Sequence, residues 1–190
     1  MTMTIIDADI RSADANWSWQ STASTIAMLN SWLQDTGSLT ERLRRHCQHF
    51  NVQLQATRSH VKLSAEQQGW LGAKQANCRE VLLLCDGQPW IYASSLYTQS
   101  AEQAVPALAG LGERALGELL FEHPQLTRSA FEFAQLNQAQ WQGLQQTQQL
   151  TSLVNSTQLL PWARRSVLAI PQAQVLVTEL FLPQEHVYQE

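Results

Sequence analysis

Apolar residues recur every three or four positions from Ile26 through Leu29, Trp32 and Leu33, behind Ser21 or Thr22, either of which can cap a helix; Gly37 then supplies a stop. A second helix is predicted immediately afterwards. Ser38-Leu39-Thr40-Glu41 has capping-box spacing and puts Leu39 in a first turn, where backbone N–H groups lack helical acceptors. From Phe50 to Leu63 the period drops to two. Phe50, Val52, Leu54 and Ala56 share one face and Gln53 and Gln55 the other, which predicts a half-buried strand. Residues 78–85 and 90–95 predict two more strands. Between them Asp86-Gly87 signals a hairpin, and Pro89 favours a connection slightly longer than the tightest two-residue turn.

Further along, residues 102–122 read as helix with a break near Gly110 and Gly112, and 127–133 as a short strand with Phe131 and Phe133 on one face. The stretch 135–157 is polar and rich in Gln, so helix and loop with little core are expected there. Two last strands, 164–170 and 175–182, form a hairpin through Pro171-Gln172-Ala173-Gln174. Helices first, then adjacent strands joined by hairpins, predict an α+β fold: a single antiparallel sheet with helices packed on one face. There is no βαβ alternation and no Gly-rich phosphate loop, so nucleotide cofactors are not indicated; G-x-S-x-G and H-E-x-x-H are also absent.

At 190 residues and 44% hydrophobic content the chain can bury one core without disulfides. One domain is expected over residues 21–190, with a Gln-rich excursion at about 135–160 and a flexible segment before residue 21. A net charge of −4 argues against a nucleic-acid surface, and the seven tryptophans are scattered rather than interleaved with basic residues, so they read as core. Cys47, Cys78 and Cys85 form no C-x-x-C pair, which predicts reduced thiols in a cytoplasm. The start shows no basic region before an apolar run, and no stretch is long enough to cross a bilayer. His46, His49, His60, His123 and His186 have no spacing that asks for a metal.

Alternation places two charges on apolar faces. Glu179 shares a side with Val175, Val177 and Phe181, and Arg79 shares one with Val81, Leu83 and Cys85. A buried carboxylate costs several kcal/mol unless protonated, paired or hydrogen-bonded, so Glu179 is a candidate site residue; its apolar neighbours suit a protonated, donating carboxyl, and roles as acid, base or orienting group all stay open. A buried guanidinium is a natural anchor for an acidic ligand. Two readings stay open: the charges neutralise one another across the sheet, or both face a cavity. Arg164 and Arg165 fall on opposite faces, so at most one is expected inside, and Arg128 at a strand start is expected to be exposed, though it is a possible second cation for a dianionic ligand.

Six segments in fixed order then resemble the chorismate pyruvate-lyase family: residues 38–43, Arg79-Glu80-Val81-Leu82-Leu83 with Asp86-Gly87-Gln88-Pro89-Trp90, residues 116–121, Leu126-Thr127-Arg128, Trp162-Ala163-Arg164-Arg165-Ser166, and residues 178–183. The resemblance implies a single antiparallel sheet with helices on one face and a closed cavity under helical flaps. It implies conversion of chorismate to 4-hydroxybenzoate and pyruvate, the first committed step toward ubiquinone, in the cytoplasm, with no cofactor or metal, by a monomer without a nucleic-acid partner. Arg79 would bind the ring carboxylate, aided by backbone groups of Leu39 and Leu116, and Glu179 would meet the 4-oxygen, with Arg79 and Glu179 as the catalytic pair. The Gln-rich stretch departs from the pattern and is expected to be a surface excursion without catalytic residues. A second reading is a small-molecule sensor module, since a related fold serves transcription regulators; the stretch before Phe50 is too short and insufficiently basic for their winged helix.

Overall fold

The computed structural model describes residues 12–147, 159–183 and 185–188; the Gln-rich stretch beyond residue 147 and the first eleven residues lie outside them. Its frame is one antiparallel sheet built from β1 (Phe50–Lys62), β2 (Gln75–Cys85), β3 (Gln88–Tyr97), β4 (Thr127–Arg128), β5 (Glu132–Gln135), β6 (Trp162–Ile170) and β7 (Ala173–Phe181). The spatial order is β1-β2-β3-β7-β6-β4, with β5 also pairing β6. The C-terminal hairpin thus inserts between β3 and the short strands, putting β3 and β7 at the centre.

The β2–β3 connection is tighter than Pro89 suggested. Cys85 pairs with Gln88, leaving the two-residue turn Asp86-Gly87, both at positive φ (49° and 80°) as such hairpins require. Pro89 is accommodated one step later by a register shift between Leu83 and Leu84. The β6–β7 turn is likewise two residues, Pro171-Gln172, since Ile170 pairs with Ala173.

One face of the sheet packs against α1 (Ala27–Leu33), α2 (Leu39–Arg44) and α7 (Glu185–Tyr188) through Leu29, Trp32, Leu33, Leu43 and Val187. Toward the other end of that face lie α4 (Gln99–Ala104) and α5 (Leu116–Leu120), with Leu108 and Leu111 between them. Ser38 caps α2 by accepting from the Glu41 backbone N–H, as its spacing predicts. The first helix begins later than expected, behind Ile26, whose N–H donates to Ser24 Oγ.

The second face is also covered. Leu82, Tyr92, Ala163 and Leu180 pack there against Trp17 and against Trp141 and Leu144 of α6 (Gln138–Thr147), and Leu71 of α3 (Ala65–Leu71) closes the other end. Residues 138–147 therefore contribute core: Trp141 and Leu144 repeat at three-residue spacing and bury fully, which corrects the expectation of little core there. Residues 12–20, read as lying before the domain, pack on the same face, where Asp14 accepts from Thr178 Oγ1 at 2.7 Å. The thiols depart from expectation too. α2 runs toward the end of β2, so Cys47 and Cys85 meet in a disulfide with Cα atoms 5.2 Å apart, while Cys78 is free and buried. Among the described residues no helix is long and apolar enough to cross a membrane.

Candidate active site

The helix-covered face of β2, β3 and β7 does not fill completely. Register lines up Arg79 with Ser95 and Ser95 with Val177, and in the next row Val81 with Ala93 and Ala93 with Glu179. Ala93 and Ser95 are the small residues of this floor, and the space they leave is roofed by the first turns of α2 and α5. The result is a small cavity lined by Arg79, Glu179, Arg128, Leu39 and Leu116 among others. The structure therefore brings all four sequence-derived site residues to one cavity.

Arg79 and Glu179 do not neutralise one another. They stand two strands apart and one row out of step, roughly 10 Å across and about 7 Å along the sheet. Arg79 is 3% exposed; one terminal nitrogen donates to the carbonyls of Gly112 (2.8 Å) and Arg114 (2.7 Å), and its Nε has no partner among the described residues. Among the described residues no carboxylate pairs with it, and desolvation lowers its pKa. Gly112 can present its carbonyl in this way because it adopts positive φ (53°), a conformation that suits glycine.

Glu179 does have an ionic partner, on the neighbouring strand. Arg164 lies opposite it in the β6–β7 register and donates from Nε to its carboxylate at 2.5 Å. The carboxyl is thus ion-paired, but with Arg164 rather than with Arg79. Arg164 is fully buried because it also closes the end of α1: Nη1 donates to the carbonyls of Trp32 (3.0 Å), Leu33 (3.2 Å) and Asp35 (2.6 Å).

Arg165 corrects the expectation that only one of this pair is inside. It is buried on the second face, stacked between Trp19 (4.2 Å) and Trp70 (4.6 Å) and paired with Glu66 and Glu132 at 2.6 Å each. That face has its own cover, so both sides of β6 are interior. Arg128 also turns inward, beside Phe121 and Phe131, with Nη1 donating to Ser166 Oγ at 3.0 Å and Nε unpartnered. Desolvation lowers its pKa, while Glu179 opposes the shift.

Leu39 and Leu116 begin α2 and α5, where the backbone N–H has no acceptor inside the helix. The two starts approach closely: a side chain on Gly117 would come within 3.3 Å of Thr40 Oγ1 and 3.4 Å of Ser38 Oγ. Reading the sequence alone did not single out Ala93, Ser95 or Gly117 as part of the site. The small residues within the otherwise bulky strand Trp90–Tyr97 are the signal that could have done so. His46 is occupied structurally, against the Trp32 ring, and among the described residues no cluster of three metal-ligating side chains exists.

A family model described as chorismate lyase matches residues 13–190. A probable chorismate pyruvate-lyase of Pseudoalteromonas translucida is 37% identical over 180 residues, covering 93% of this chain and 97% of that protein. One of the same name from Cupriavidus pinatubonensis is 39% identical over 159 residues, covering 82% and 80%. Among solved structures, the effector domain of PhnF from Mycobacterium smegmatis superposes with a TM-score of 0.55 at 15% identity, over 78% of this chain and 90% of that one, a likeness of fold. With the match running from residue 13 to the last and more than a third of positions shared over nearly the whole of a relative, the chain belongs to the chorismate lyase family, a family of enzymes.

Proposed function

We propose that the protein converts chorismate to 4-hydroxybenzoate and pyruvate, the first committed step toward ubiquinone, in the cavity between Arg79 and Glu179. The observation that carries this is a buried guanidinium without a carboxylate partner among the described residues at one pole of a small apolar cavity and a carboxylate at the other. Arg79 takes the ring carboxylate with the guanidinium donors it does not give to the Gly112 and Arg114 carbonyls, assisted by the backbone N–H groups of Leu39 and Leu116. Glu179, held by Arg164, meets the 4-hydroxyl.

The reaction breaks the C3–O ether bond and the C4–H bond of the same ring. The C–H pair becomes the last double bond of the aromatic ring as the C4 proton departs, the ether oxygen leaves with the C3–O pair as the enolate of pyruvate, and that enolate takes one proton at carbon to become pyruvate, so one proton is lost and one gained. Aromatisation supplies the driving force, so the protein's part is to fix the reactive conformer, exclude water and handle one proton near C4. Glu179 is the group placed for that proton, with its carboxylate oriented by Arg164.

The test is incubation of the purified protein with chorismate, following 4-hydroxybenzoate by absorbance and pyruvate by a coupled assay. Stoichiometric appearance of both is expected. Folded protein that binds 4-hydroxybenzoate but leaves chorismate intact would replace the enzyme by a sensor of aromatic acids.

A further inference from the structure

Charge matching in the cavity leaves a second cation without a carboxylate among the described residues. Glu179 is satisfied by Arg164, so of the arginines around the cavity Arg79 and Arg128 remain without a carboxylate among the described residues. Their placement differs. Arg128 reaches Ser166, which stands opposite Val177, and Val177 stands opposite Ser95 and so in the row of Arg79. The two guanidinium groups thus flank the floor from opposite sides, with the Glu179 row beside them. Arg128 lies on the Glu179 side, close enough for the two charges to interact. Phe121 and Phe131, 5.3 and 4.9 Å from its guanidinium carbon, restrict its motion.

We propose that Arg128 binds the second carboxylate of the substrate, the one on the side chain at C3, and so separates dianionic substrate from monoanionic product. The inference rests on the reading of the site as a chorismate lyase. With the ring carboxylate on Arg79 and the 4-oxygen at Glu179, a substituent on the carbon next to C4 projects from the Glu179 end. Arg128 is the cation of the cavity wall at that end. When the C3–O bond breaks, the second carboxylate leaves with the three-carbon fragment, and Arg128 has no hold on the aromatic acid that stays.

Arg128→Gln keeps hydrogen-bonding capacity and removes the charge. It should lower kcat/KM for chorismate by roughly 10- to 100-fold, the worth of one charge-assisted hydrogen bond, while changing the affinity for 4-hydroxybenzoate by less than about 2-fold. Arg128→Lys should recover part of the loss, which a purely structural role would not produce. In parallel, calorimetry with 3-(carboxymethoxy)-4-hydroxybenzoate, a stable dianion with its second carboxylate on the same ring position, should show Arg128→Gln weakening that ligand alone. Equal weakening of the dianion and of 4-hydroxybenzoate, or no change in either, overturns the proposal. Wild-type protein inert toward chorismate fails the underlying reading, and the binding comparison still decides whether Arg128 selects a second carboxylate.

Discussion

A buried guanidinium whose Nε has no partner among the described residues, as in Arg79, is an arrangement that a protein keeps only at a cost unless a ligand completes it. Arg79→Ala should therefore weaken 4-hydroxybenzoate binding by at least roughly 30-fold, measured by calorimetry, and unchanged affinity would remove Arg79 from the site. Glu179→Gln retains an oxygen for Arg164, whose contacts with three α1-end carbonyls persist, so the fold should survive. Its kcat for chorismate should fall about 100-fold or more with a much smaller change in product affinity; an unchanged kcat would exclude proton handling by this carboxylate. Both residues were legible because alternation fixes which face a strand residue takes. Arg164 as the partner of Glu179 was not legible, since cross-strand register depends on how the β6–β7 hairpin closes. Arg128 was misread as exposed because a two-residue strand gives no alternation from which to infer direction.

The elements over the cavity are short, and their stability lies in their caps and junctions. Asp35 is the junction between α1 and α2: its carboxylate accepts from the Gly37 N–H at 2.8 Å and from Arg42 at 2.9 Å. Desolvation acts to raise its pKa, but these two bonds and the Arg42 charge outweigh it and hold the carboxyl below its ordinary value. The folded pKa is the lower one, so the stabilisation is present above about pH 4 and is lost as pH falls through the folded value. Asp35→Asn should cost up to about 1 kcal/mol at pH 7, given its partial exposure, with a difference from wild type that shrinks below pH 4 in denaturant titrations. A pH-independent difference would mean that shape rather than charge matters there. At this scale the capping boxes carry the legible information. Ser64 and Gln67 form one at the start of α3, with the same Ser-x-x-Glu/Gln spacing as Ser38 and Glu41, so the start of that helix too is legible in the sequence. The Asp86-Gly87 hairpin was legible, but not the bulge that lets Pro89 sit beside the tightest turn.

Across the whole molecule the sheet separates two jobs. One face holds the cavity, and the other is closed by residues 12–20, α3 and α6 around Trp17, Trp141 and Leu144. Trp141→Ala should cost about 3–5 kcal/mol and lower Tm by roughly 6–20 °C. Below the transition kcat should stay near wild type, because the sheet stands between this core and the ligand; an unchanged Tm would mean that α6 is dispensable. Sequence pattern missed this core because one tryptophan and one leucine within a Gln-rich decamer carry little periodic signal, and their burial depends on the sheet beneath them.

Arg79 grips the carbonyls of Gly112 and Arg114, in the loop that leads directly into α5, part of the cavity's roof. Anchor and door are therefore fastened by one side chain. On the proposed reading a carboxylate seated on Arg79 steadies the guanidinium that latches the loop, so occupancy and closure reinforce each other. The aromatic product keeps that carboxylate, and so it leaves the latch engaged behind it. On that reading escape of the product is coupled to the loop that Arg79 holds, and loosening the loop should weaken the grip on the ring.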